Sequence, residues 1–502
     1  MPSILSTLRI ILRTVPVLVS TLITHTLSLT PTSKIWTLRT ELTIAIIRIF
    51  LNDPKPPTIT AQQQRFLDDP PVKGPVWISK VTLPAPPEDD IRQALDGAIR
   101  GLKGELDAGM EYTLPPLLPV GGEWTGPRSG INISENTPEP SHLSEAEKYT
   151  NMTDELHAYH SEQNTKPPTI LYFHGGSLYL MDPSTTRPAS TKYARTLHSR
   201  VLSVRYRLAP QHPFPSALLD ALLAYLSLLH PPPTALHAPV PASQIIIAGD
   251  SAGGNIALAL LLTLLQINRN PPKSLTFHNK PLPLPLPLPA ALSLLSPSCD
   301  LTRCLPSVVK NAVYDYLPPR IYPTPPPCAV WPARPPRAHL YCEGSALCHP
   351  LVSPVAARAE MWVGAPWVFL QVGEEMLADE GGVVARRMKE GVMMGGGSGS
   401  GNGNGGVVWE QYGGMPHCFG LLLGGEQPEV GMGWEGVKGF CEAVVNGGEV
   451  VGGGVFVSKG GSGLERREVD VGGVVSGLED EEVERLMESA RRGVVERAEL
   501  GM

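Results

Sequence analysis

From residue 165 onward the chain alternates short, almost wholly apolar runs with longer segments of helical spacing, a pattern few folds accept. The runs are TILYFHGG, VLSVRYRLAP and QIIIAGDS, separated and followed by a helix around 192–199, SALLDALLAYLSLL and GGNIALALLLTLLQI. Further strands are expected at AALSLLS, PWVFLQVG and VVWEQYG. A strand that is apolar throughout needs cover on both faces. The pattern therefore implies a mostly parallel central sheet with helices on either side, the α/β class.

Upstream, KIWTLRTELTIAIIRIFL (34–51) and EDDIRQALDGAIRGLKGEL (88–106) read as helices, and VWISKVTLP (76–84) reads as a strand. The expected organisation has four parts. Residues 1–30 read as a signal anchor or leader, and 31–165 as N-terminal helices, cap and first strands. Residues 166–450 form the core, with a cap insertion around 300–353, and 451–502 form a Gly-rich tail with a charged helix. The 53 prolines and 50 glycines gather in runs at 281–290, 318–327 and 395–406, which read as loop or linker material unable to pack a core.

A net charge of −7 leaves no footprint for nucleic acid. The seven cysteines show no paired C-x-x-C spacing, so no metal site is expected. They read as free thiols, with disulfides in an oxidising compartment as the alternative. Residues 14–30, TVPVLVSTLITHTLSLT, carry no charge and follow Arg9 and Arg13. They read either as a membrane anchor or as an amphipathic helix lying on the protein or on a bilayer surface. Two sequons, Asn132-Ile-Ser134 and Asn151-Met-Thr153, would suit a lumenal or secreted protein. The expected location is the endoplasmic reticulum membrane with a lumenal domain, or secretion, with the cytoplasm as the remaining option.

Candidate chemistry starts at GDSAG, where Ser251 stands between an apolar strand and an apolar helix. In a strand-turn-helix elbow the hydroxyl is pushed out above the sheet, and the helix N-terminus behind it offers free amides. Gly-x-Ser-x-Gly alone is a weak signal, so companions are required. LYFHGGSLYL puts His174-Gly175-Gly176 at the end of an earlier strand. The amides of Gly175, Gly176 and Ser177, with that of Ala252, can face a developing oxyanion. The general base should follow later in the chain, and YGGMPHCFG sets His417 directly after the last core strand. An acid should follow the preceding strand. Glu374 and Glu375 stand at its end, while Asp379 and Glu380 lie about a helical turn on, where carboxylates more often favour a helix N-terminus.

With these motifs together, the chain resembles the hormone-sensitive-lipase family of α/β-hydrolases. YRLAPQHPFPSALLD (206–220), SPSCDLT (296–302), HPLVSP and GMPHCF also match that pattern. Ser177 stands where the family usually has a third glycine. The resemblance implies an α/β-hydrolase fold with a helical cap, catalysis by Ser251, His417 and Glu375, and no metal or organic cofactor. Asp379 is the alternative acid. Similarity to arylacetamide deacetylases and fungal steryl acetate hydrolases implies a small-molecule ester substrate, with a short acyl group and an apolar alcohol. The rival is a non-catalytic ligand-binding protein on the same fold. Such receptors have lost the histidine that this chain keeps at 417.

Overall fold

A computed structural model of the chain describes residues 4–132, 136–318, 325–334, 337–396, 405–461 and 463–499. The first part is mainly helical. Helices α1 (Ile4–Thr26), α2 (Leu38–Leu51) and α3 (Ile59–Gln64) precede β1 (Val76–Leu83), α4 (Asp90–Gly101), β2 (Val120–Pro127) and α5 (Glu145–Gln163). Strand and helix then alternate through β3 (Thr169–Phe173), α6 (Arg187–Thr196), β4 (Arg200–Arg205), α7 (Ser216–Leu229), β5 (Ile245–Asp250) and α8 (Ala252–Arg269). A small hairpin of β6 (Thr276–Phe277) and β7 (Lys280–Pro281) leads to β8 (Ala291–Leu295) and the single turn α9 (Ser307–Lys310). Next come β9 (Trp367–Gly373), α10 (Ala378–Met394), β10 (Gly406–Tyr412), α11 (Phe419–Leu422) and α12 (Pro428–Asn446). The chain then adds β11 (Gly453–Gly460), β12 (Gly463–Val469) and α13 (Asp480–Glu499).

Among the described residues, ten strands form one sheet in the order β1-β2-β4-β3-β5-β8-β9-β10-β11-β12. The pairs from β4 to β11 are parallel, and β1–β2, β2–β4 and β11–β12 are antiparallel. The expected α/β architecture is present, with one apolar cluster on each sheet face. The larger cluster holds α4, α7, α8 and α10, and the other holds α6 and α12. Helix α7 is buried along its whole length and α8 along nearly all of its own, which explains their apolar character on every side.

The sheet reverses its winding between β3 and β5, with β4 on one flank and β8 on the other. Open α/β sheets bind ligands at such a switch point, outside the carboxyl ends of their strands. The N-terminal helices lie over that edge. Trp36 Nε1 donates to Gly414 O at 2.7 Å and Arg48 Nε donates to Asp315 O at 2.8 Å. Gln63 Nε2 donates to Tyr179 O and Ala209 O, each at 2.9 Å.

Several expectations need correcting. The segment at 14–30 lies mostly in α1, which also takes in Arg9 and Arg13 and contains Pro16. No helix among the described residues is long and apolar enough to cross a membrane. Charge and Ser/Thr hydroxyls dilute its apolar character, and α1 packs against α2 instead. The tail beyond residue 451 also contains β11 and β12, an antiparallel pair that its Gly-rich composition concealed. The Pro-Leu run at 281–290 is not loose: Leu282 and Leu286 are buried in the larger cluster, and Leu286 N donates to Asn268 Oδ1 at 2.6 Å. Extended Pro-Leu alternation sends its leucines inward. The seven cysteines, by contrast, are free thiols, in line with the first reading of their spacing. The runs at 318–327 and 395–406 fall partly outside the described residues, as does the sequon at Asn132.

Candidate active site

Four parallel strands, β3, β5, β9 and β10, carry the candidate residues beyond their carboxyl ends, so one edge of the sheet collects them all. At the end of β5, Ser251 has φ 50° and ψ −120° before α8 begins at Ala252. A non-glycine residue in that region is strained, and the surroundings must hold it there. Two glycines permit the turn. A Cβ on Gly253 would fall 1.9 Å from Phe173 O, and one on Gly249 would fall 2.5 Å from the Gly253 carbonyl carbon. Ser251 N donates to Leu295 O at 3.1 Å, tying the elbow to the end of β8.

The loop after β3 lies directly against the elbow. A Cβ on Gly175 would meet Ser251 Cβ at 3.2 Å. Asp250 holds this loop: its Oδ1 accepts from the Gly175 amide at 3.2 Å and from the Tyr172 hydroxyl. Burial pushes the Asp250 carboxyl up, and the Tyr172 hydroxyl pulls it back. The Gly175 amide is therefore engaged, whereas no acceptor among the described residues pairs with the amides of Gly176, Ser177 or Ala252. Ser177 has φ 54° and Leu178 φ 66°, so the serine occupies a left-handed position that a glycine would take more easily. Tyr206 stacks on His174 and donates to its carbonyl at 2.7 Å.

The candidate acid and base meet beyond the ends of β9 and β10. Glu375 Oε2 lies 3.2 Å from His417 Nδ1, with both residues buried. A carboxylate can only accept, so Nδ1 carries a proton, and in the neutral ring Nε2 is the basic nitrogen. Burial works against a charge on His417, whereas a charge on the Cys418 sulfur or on the Glu375 carboxylate favours it, and the ring is raised above its ordinary value. Burial pushes Cys418 itself up to about 11, so it remains a thiol at neutral pH and the carboxylate is the effective partner. Burial also raises Glu375, against the pull of His417 and Ser296.

The other carboxylates go elsewhere. Glu374 Oε2 accepts from Gly414 N at 2.9 Å. Asp379, in the first turn of α10, accepts from Ser307 N at 2.8 Å. Glu380 accepts from Cys299 N at 2.7 Å. The structure thus brings Glu375, rather than Asp379, to His417.

Sequence reasoning missed the residues that hold Glu375. Asn311 Nδ2 donates to Glu375 O at 3.0 Å, and Met376 N donates to Asp315 Oδ2 at 2.7 Å. Both partners lie in the segment read as cap insertion, and nothing in its pattern marks them. Ser296 Oγ donates to Glu375 Oε2 at 2.9 Å. Its position inside SPSCDLT was the available signal. Among the described residues no cluster of His, Cys, Asp and Glu could hold a metal ion.

Comparison with known proteins adds a family. The family model described as alpha/beta hydrolase fold matches residues 170–421. An acetyl-hydrolase of Streptomyces hygroscopicus is 38% identical over 96 residues, which is 19% of this chain and 30% of the relative. An esterase of Acinetobacter venetianus is 34% identical over 148 residues, which is 30% of this chain and 41% of the relative. The chain thus spans less than half the length of these curated relatives. A crystal structure of a hormone-sensitive lipase from a metagenome library is similar at 25% identity and a TM-score of 0.43, covering 71% of this chain and 98% of that one.

Proposed function

The chain belongs to the alpha/beta hydrolase fold family, and on that premise we propose that it is a serine carboxylic ester hydrolase acting through Ser251, His417 and Glu375. The observation that carries the reading is the buried Glu375–His417 contact at the edge where the Ser251 elbow emerges. His417 Nε2 takes the proton from Ser251 Oγ as it attacks the ester carbonyl. Glu375 fixes the tautomer and stabilises the imidazolium. The oxyanion is held by the amides of Gly176, Ser177 and Ala252, while Gly175 serves the loop through Asp250. His417 then protonates the leaving alcohol, and water releases the acyl group by the same route. No metal or organic cofactor takes part in these steps.

Short acyl esters of apolar alcohols, acetyl esters first, are the proposed substrates. The acetyl-hydrolase relative supports that class. In Ser251→Ala, hydrolysis of p-nitrophenyl acetate should fall by at least about 10³-fold, since a triad serine carries most of the chemical step. An organophosphonate probe should label the parent protein at Ser251 and leave the variant unlabelled. Full activity in the purified variant would overturn the assignment. Ligand binding without labelling of the parent would favour the non-catalytic rival.

A further inference from the structure

Ser296 directly follows β8 and has φ 50°, a left-handed conformation that it keeps although it is not glycine. Its amide donates to Gln371 O at 2.7 Å, which fixes it against β9. Its hydroxyl, fully buried, works in two directions. Oγ donates to Glu375 Oε2 at 2.9 Å and accepts from the amide of Cys418 at 2.9 Å. The residue before it, Leu295, takes the amide of Ser251 through its carbonyl. Residues 295 and 296 therefore touch the elbow, the acid and the loop that carries the base.

The need for such a tie follows from the acid itself. A glutamate has one more rotatable bond than an aspartate, so its carboxylate can sweep a wider arc unless something pins it. Among the described residues Oε1 has no hydrogen-bond partner, and everything rests on Oε2, shared between His417 Nδ1 and Ser296 Oγ. We propose that Ser296 is a positioning residue for this site: one hydroxyl locks the Glu375 carboxylate and the backbone next to His417 into a single register. The proposal rests on the hydrolase reading above, since it assigns how that reading's acid meets its base.

The test is a double-mutant cycle. Ser296→Ala and Ser296→Gly both delete the hydroxyl, and glycine does so without strain at this φ. Each is measured in the parent protein and in Glu375→Gln. With p-nitrophenyl acetate, either variant should lower kcat by about 10- to 100-fold with KM within about twofold, because a misplaced catalytic group costs the transition state more than binding. In the Glu375→Gln background the same substitution should cost less than about twofold, since contacting residues are not additive.

The pH profile provides a readout that a merely structural role would not move. Asp315, Asp250, Cys418 and Tyr316 also face the Glu375–His417 pair, and all four stay in place. Losing a donor to the charged carboxylate raises its proton affinity, so the acid limb of kcat/KM should move to higher pH. An unchanged kcat in both variants, or an equal loss in both backgrounds, would overturn the proposal. A parent protein labelled at Ser251 by the phosphonate alongside fully active Ser296 variants would sink this proposal alone. A parent neither labelled nor active would sink the hydrolase reading and this proposal with it.

Discussion

Asp250 sits inside the elbow yet serves a different loop. Its carboxylate accepts the Gly175 amide and the Tyr172 hydroxyl, so the loop after β3 is aligned by the residue next to Ser251. Removing that acceptor should loosen the loop, and it also takes away a carboxylate that faces His417. In Asp250→Ala, kcat for p-nitrophenyl acetate should drop by about 10²-fold, on the scale of a lost or misaimed oxyanion donor. Asp250→Asn keeps an acceptor oxygen and should retain most of the activity. Steady-state kinetics on both variants checks the point. At this scale the sequence is informative where chemistry is local. Ser251, His174 and His417 stand out from their own neighbours. Ser296 and Glu375 lie 79 positions apart, and a hydroxyl bonded to a carboxylate across that gap leaves no periodic trace.

Among the elements, the β5–α8 elbow is the most tightly constrained. Gly253 lets α8 rest against the end of β3 at a separation no side chain would allow, and the atoms it faces, Phe173 O and C, are backbone. In Gly253→Ala the clash cannot be relieved by rotating a side chain. The variant should lose about 3 kcal/mol or more of stability, read as a lower urea midpoint, with ester hydrolysis falling alongside it. Elements with strong periodicity were readable in advance: β3, β4, β5, α7, α8, β9 and β10 all appear where the apolar pattern puts them. Strand β2 and helix α5 were not. The sequence of β2, VGGEWTGP, carries two adjacent glycines, and α5, EAEKYTNMTDELHAYHSEQ, buries only a thin stripe through Tyr149, Met152 and Leu156. Proline composition misled in the opposite direction, because leucines of the 281–290 run pack inward.

For the molecule as a whole, buried titratable groups outside the site bear on stability. Burial raises the Asp107 carboxyl from 3.8 to about 6, against the pull of the Gly104 amide, and its Oδ2 has no hydrogen bond among the described residues. The folded chain therefore binds this proton more tightly than the unfolded chain does. Its contribution is fully present below about pH 4 and is lost as pH rises through about 6. His349, 3.6 Å away and held down to about 4 by burial, acts in the opposite sense over much of that range. The informative quantity is thus a difference. Relative to the parent, Asp107→Asn should gain about 2 kcal/mol in urea unfolding between pH 4 and pH 7. Equal pH slopes in the two proteins would contradict this account.

The hairpin of β11 and β12 extends the sheet past β10, and its outer strand has the sequence GLERREV with most side chains exposed. An unpaired strand is a template on which another chain can crystallise its own backbone into fibrils. Here Glu465, Arg466, Arg467 and Glu468 crowd that template with charges of both signs, which an incoming copy would have to strip of water. The border of the sheet is thereby insulated against amyloid-like growth.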